Sequence, residues 1–325
     1  LNLSTKEQLN HNQSQLTGLL HDNALSIVHK VIPQPDLKSL AEALLIAQHQ
    51  LFEVGITTVD DAGLSKDTID LIDRLQKENK LKLKVYAMIS GNEKMLNHYL
   101  KKGPYKTEKL TVNAFKFYAD GALGYRGACL IEPYSDITEN KHHELLISET
   151  NFFYKYAPLL YEKGFQMNTH CIGDSANRLI LAVYAKTLKG VNDKRWRIEH
   201  AQVIHPSDFE NFRTYTIIPS IQPTHGTSDM HLVKDRLGEQ RAKNAHAYKA
   251  LLIQNGIVAL GSDFPVEDIS PIKTFYAAVA RKDEDGYQME NALSKKEALK
   301  GMTIWAALSN FEENEKGSLE VGKSA

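Results

Sequence analysis

The chain has 325 residues, 42% of them hydrophobic and 24% charged, with a formal net charge of −1. Such a composition belongs to a globular protein with a sizeable core, either two average domains or one α/β barrel, which runs to about this length. Scattered basic residues leave no electrostatic footprint for nucleic acid, and no apolar run approaches the roughly 20 residues of a membrane span.

Residues 1–16 are polar, rich in Asn and Gln and without period, and are predicted to be loop. The chain starts Leu1-Asn2-Leu3 without an initiator Met and stops at Gly322-Lys323-Ser324-Ala325, straight after a strand-like phrase. It is therefore expected to be an excerpt, with 1–24 the tail of a preceding or inserted segment and 25–325 a barrel. A signal peptide would be lost from such an excerpt. The two cysteines, Cys129 and Cys171, form no CxxC and no framework, which fits a reducing, cytoplasmic setting.

Helical spacing of Leu37, Leu40, Ala41, Leu44, Leu45 and Leu51 predicts a helix over 36–54, ended by Gly55. Ile56 to Val59 is a β-branched strand closing in Asp60-Asp61. An amphipathic helix follows over 66–78, then a strand over 83–90, then a helix carrying Met95, Leu96 and Leu100. Phe115-Lys116-Phe117-Tyr118-Ala119 is the third strand, and about 121–150 is a loop-rich insertion. A helix over 151–163 precedes the strand 165–169, and Asp174-Ser175 opens the next helix. Strands are predicted over 195–198, 215–221 and 257–260. Between and after them come a short helix from His205-Pro206, a helix from Ala247 to near Gly256, and late helices over 294–308. Seven strand–helix alternations at about the length of a βαβ unit argue for a parallel sheet with helices outside. Seven is one short of a closed (β/α)8 barrel. A doubly wound sheet would accept seven but would want a Gly-rich phosphate turn after its first strand, and none is present.

The residues at the strand ends carry the chemistry. They are Lys116, His170, His200, His225 and Asp263. In a barrel all strand carboxyl ends converge on one face, where active sites are built. Imidazole and carboxylate gathered there are the ligand chemistry of Zn²⁺ and similar ions. A lone histidine after a strand is usually packing. Three histidines and an aspartate after four different strands are hard to obtain by chance when only 13 of 325 residues are histidine. His142-His143, His205, His231 and His246 are expected at surface or in loops. Lys116 poses a separate question, because an unpaired buried ammonium is expensive. It must lie on an exposed edge or be neutralised.

Four phrases resemble the amidohydrolase superfamily, and within it the branch of N-substituted formamide deformylase. They are Phe115-Lys116-Phe117-Tyr118-Ala119-Asp120-Gly121, Thr169-His170-Cys171-Ile172-Gly173-Asp174, Arg197-Ile198-Glu199-His200-Ala201-Gln202 and Gly261-Ser262-Asp263-Phe264-Pro265-Val266. The resemblance implies a metal-dependent hydrolase on a (β/α)8 TIM-type barrel. Lys116 would carry CO2 as a carbamate and ligate metal, His170 and His200 would be ligands, and Asp263 would be ligand and general base. One or two divalent ions, Zn²⁺ foremost, are implied. A carbamate would also answer the question of Lys116, since an anion paired with a cation compensates its burial. The family's first strand ends in His-x-His, and no His-x-His occurs here; His11, His21 and His29 lie in the wrong context. That strand and the family's small β-sandwich are therefore expected to be missing from this chain.

The reaction implied is hydrolysis of an amide-like, non-peptide C–N bond by metal-activated water, with Asp263 accepting the proton. His225 stands between catalytic contact with substrate and a role supporting a ligand. Asp120, Arg126 and Asp229 stand between substrate contact and loop ion pairs. Another hydrolase or deaminase substrate class, or a metal-poor regulatory relative, stays open. The expected partner is a small-molecule substrate, and a homo-oligomer stays open.

Overall fold

A computed structural model describes residues 9–12, 15–20, 28, 30–33, 35–137, 146–282 and 286–324. His21, His29 and His142-His143 lie outside the described residues. The start of the chain holds an antiparallel hairpin, β1 (Leu9–Asn12) with β2 (Gln15–Leu20), in place of the predicted loop. The pairing between them supplies the order.

From there the strand–helix alternation runs as the sequence predicts. Helix α1 (Leu37–Glu53) starts at Asp36, whose carboxylate accepts from the Ser39 N–H at 2.7 Å. After it come β3 (Thr58–Leu64), α2 (Lys66–Lys77), β4 (Lys84–Ser90), α3 (Glu93–Lys102), the two-residue β5 (Tyr105–Lys106) and β6 (Leu110–Tyr118). Helix α4 (Thr150–Lys163) ends at Gly164, which adopts φ +78°, a left-handed stop that glycine takes without steric cost. Next are β7 (Gln166–Cys171), α5 (Asp174–Leu188), β8 (Arg197–His200), α6 (Glu210–Thr214) and β9 (Ile218–Ile221). Two helices that the sequence reading did not predict follow, α7 (Pro223–Ser228) and α8 (Met230–Ala242). The chain then forms α9 (Tyr248–Asn255), β10 (Ala259–Leu260), a further unpredicted helix α10 (Pro271–Ala280), α11 (Lys295–Met302) and α12 (Ile304–Ser309).

Seven strands form one parallel sheet in the order β10-β9-β8-β7-β6-β4-β3, with β5 antiparallel on β6. Register sets the functional layer. Ser90 pairs with Lys116, Lys116 with Asn168, and Asn168 with Arg197; one layer on, Tyr118 pairs with His170 and His170 with Glu199. Helices cover the outside through apolar side chains such as Phe115, Phe117, Phe153, Phe165, Ile180 and Trp196. The sheet curls into the wall of a (β/α)8-type barrel. The fully buried Arg197 spans its interior: Nη1 donates to Asp60 Oδ2 of β3 at 2.7 Å and to Asn310 Oδ1 at 3.0 Å. Asn310 in turn donates to Asp60 Oδ1 at 2.6 Å, so the first strand and the turn after the last helix are fastened to the middle of the sheet.

Among the described residues of the insertion, 121–137 holds no helix or strand. Side chains tie it down: Arg126 and Arg236 both bind Asp136, and Arg241 donates to the Glu132 and Pro133 carbonyls. His246, expected near the surface, is instead wholly buried. Its backbone N–H donates to the Gln202 carbonyl at 2.7 Å, which draws this stretch inward beneath α7.

Candidate metal centre

Lys116 lies near the carboxyl end of β6 and is only 5% exposed. Its Nζ sits 4.3 Å from the Tyr118 ring centroid, and among the described residues no carboxylate comes within ion-pair distance. Burial pulls its pKa below the usual lysine range, against the opposing pull of Glu199 and Asp263. A neutral amine is favoured there more than at the surface.

His170 closes β7. Burial pushes its pKa down to about 3, with the Lys116 charge adding to the effect. Its Nε2 has no hydrogen-bond partner, and the nearest carboxylate oxygen, Asp120 Oδ1, is 3.7 Å away. His200 ends β8. The backbone there turns left-handed, φ +73° at His200 and +44° at Ala201. The His200 ring centroid is 4.5 Å from that of His170 and 5.7 Å from that of His225. Burial holds His200 well below the ordinary imidazole pKa, with its histidine neighbours and Lys116 contributing.

His225 is carried by the short helix α7, just past β9, and its buried Nε2 lacks a hydrogen-bond partner, 3.6 Å from Asp263 Oδ2. Asp263 follows β10 in a left-handed conformation, φ +60°. Its carboxylate faces solvent on one side, yet partial burial raises its pKa, partly offset by His225 and Lys116. His200, His225 and Asp263 each offer one donor atom, and these atoms lie within 4.8 Å of one another. Lys116 and His170 border the same space without joining that group. Left-handed backbone is uncommon for non-glycine residues and carries some strain, and His200, Ala201 and Asp263 adopt it at this site, as do other residues elsewhere in the chain.

The donor set fits a divalent cation. Imidazole nitrogens without a hydrogen-bond partner, beside a carboxylate, are what Zn²⁺-type ions bind.

The remaining sequence candidates have other partners. Asp120 is buried and its carboxylate accepts from the backbone N–H groups of Cys129 (2.9 Å), Ile172 (3.0 Å) and Gly173 (2.8 Å). It is a clamp between the insertion and the β7–α5 turn. Arg126 makes a two-pronged pair with Asp136 at 3.1 and 2.8 Å. Asp229 accepts from Gln202 Nε2 at 2.9 Å and lies 3.7 Å from His246 Nε2. Sequence reasoning passed over Gln222, whose Oε1 is 2.7 Å from His200 Nδ1. The signal was a polar amide at the end of a strand, three residues before His225.

Comparison with known proteins gives three kinds of match. A family model described as "Amidohydrolase family" matches residues 5–325. "Protein LONG AFTER FAR-RED 3" of Arabidopsis thaliana is 33% identical over 327 residues, 95% of this chain and 56% of its own length. "N-substituted formamide deformylase" of Arthrobacter pascens is 23% identical, over 95% of this chain and 59% of its own length. The chain thus spans somewhat more than half of the curated relatives it matches. The crystal structure of an uncharacterized metal-dependent hydrolase from Pyrococcus furiosus superposes on 100% of this chain and 68% of that one, with a TM-score of 0.83 and 26% identity.

Proposed function

The chain belongs to the amidohydrolase family, and from that premise we propose that it carries the metal centre of a hydrolase acting on an amide-like, non-peptide C–N bond. The observation that supports this most is the convergence of His200, His225 and Asp263 donor atoms within 4.8 Å at the mouth of the barrel. Lys116, His170, His200 and Asp263 would hold the ion, Zn²⁺ by the chemistry of the donors. When bound, such an ion supplies Lewis acidity that makes water a nucleophile near neutral pH. The protein's own residues do the rest. Asp263, its basicity raised by burial, accepts the proton of the attacking water and delivers it to the departing nitrogen. His225 presents Nε2 toward the same space and hydrogen-bonds the carbonyl oxygen where negative charge builds. Lys116, kept toward its neutral form, is suited to add CO2: the N–C bond forms, one proton leaves, and the product is an anion in place of a buried cation.

The substrate class rests on the family resemblance and on the named activity of the Arthrobacter relative. Elemental analysis of the full-length protein, with a panel of formamides, other amides, esters and aminopurines, tests it. Asp263→Asn is expected to keep the fold and lower hydrolysis by about 10²–10⁴-fold. Substantial turnover in that variant sinks the base assignment. Lys116→Ala is expected to lose bound metal, and an unchanged metal content removes the carbamate.

A further inference from the structure

We infer that Gln222 is a positioning residue that fixes the ring tautomer and orientation of His200. Its side chain lies between two anchors. Oε1 is 2.7 Å from His200 Nδ1, while the amide Nε2 faces the Ser220 carbonyl at 3.5 Å. An amide nitrogen can only donate and an amide oxygen can only accept. With Nε2 turned to a carbonyl, Oε1 must be the atom that faces the imidazole, so His200 Nδ1 must carry the hydrogen. The Gln222 backbone is held as well: its carbonyl accepts from the buried Tyr248 hydroxyl at 2.8 Å. Gln222 itself is only 6% exposed, so water competes poorly for the contact.

The consequence falls on the opposite ring nitrogen. With the proton on Nδ1, His200 Nε2 bears its lone pair and is the atom available to a cation beside His225 and Asp263. A buried imidazole without this contact could place its hydrogen on Nε2 and close off the donor. The hydrogen bond also limits rotation of a ring that hangs from a left-handed residue at the strand end, φ +73°. Gln222 therefore prepares the donor before any ion arrives, the task that partners behind metal-bound histidines perform. The inference rests on the reading of His200 as a ligand.

Two measurements on the purified protein separate the inference from that reading. Long-range ¹H–¹⁵N spectra of the metal-free protein, with His200 assigned by its loss in His200→Ala, report the tautomer directly. The Nδ1–H form is expected in the wild type, and an Nε2–H form overturns the inference whatever the variants do. Zn²⁺ affinity by competition with a chelator supplies the second readout. Gln222→Leu is expected to bind Zn²⁺ about 10–100-fold more weakly. Gln222→Glu, which keeps an acceptor facing Nδ1, is expected to stay within about threefold of wild type on the same reasoning. If Gln222→Leu fails to fold, the flexible and similarly long Gln222→Met takes its place. Unchanged affinity in a folded Leu or Met variant overturns the inference. Unchanged affinity in His200→Ala overturns instead the assignment of His200 as a ligand.

Discussion

His170, His200 and His246 share one physical condition. Each ring is packed away from water, and burial is the largest influence holding its pKa below the free value of 6.5. The folded protein therefore refuses protons that the unfolded chain accepts below pH 6.5, so stability must fall as acid rises. The slope is about 1.4 kcal/mol per pH unit for each such imidazole, and for His170 it persists down to about pH 3. Urea unfolding of the metal-free protein between pH 7.5 and 5 should show a falling midpoint. His246→Phe should flatten that slope, and an unaltered slope removes His246 from the account. Asp120 acts in another way, since its carboxylate holds three buried backbone N–H groups. Asp120→Ala strands those donors and should cost about 3–5 kcal/mol, read as a shift of the same midpoint. At this scale the sequence placed His170, His200 and Asp263 at or just after the ends of strands, because strand ends are local features. It could not reveal that Asp120 serves the backbone, since its partners lie 9 to 53 positions away. Nor could it reveal that His246 is buried, because the layer above it is a helix from another part of the chain.

Short turns between elements carry much of the positioning. At Gly173, between β7 and α5, an added Cβ would fall 2.0 Å from the Cys129 carbonyl oxygen, an immovable backbone atom. Gly173→Ala should therefore destabilise the protein by about 2–3 kcal/mol. It should also separate the insertion from the β7–α5 turn, visible as faster amide exchange at Ile172 and Cys129. Exchange unchanged at both positions would show that the contact is slack. The strand–helix alternation was legible because each unit announces itself by period and by caps such as Asp36, Ser65 and Asn92. Helix α10 had its own signal, Ser270 as cap with Pro271 at the first turn, which the reading overlooked. Helix α8 had none. It breaks at Gly238, φ +72°, and its Val233 and Leu237 pack with Leu130 and Tyr134 of the insertion, a surface no local pattern encodes.

For the whole molecule, the parallel sheet and its helices followed from the order of elements, whereas the means of fastening it did not. Arg197 reads as one more strand residue until Asp60 and Asn310, from the two ends of the barrel wall, are seen to meet it. Glu199 adds a second carboxylate, 3.0 Å from Arg197 Nε. Removing the cation leaves the buried Glu199 carboxylate without compensation, so Arg197→Met should cost about 3–5 kcal/mol. Pairing it with Asp60→Asn should cost less than the sum of the two, measured by a double-mutant unfolding cycle; full additivity would mean the fastening carries no shared energy. The geography of this fastening also orders events in time. Arg197 and His200 stand on the same four-residue strand, yet Asn310 is made more than a hundred residues later. On the ribosome, Lys116, His170, His200, His225 and Asp263 have all been synthesised while the position that locks their scaffold is still to come. A nascent chain stalled before Asn310 therefore carries these five residues on a frame that is not yet secured.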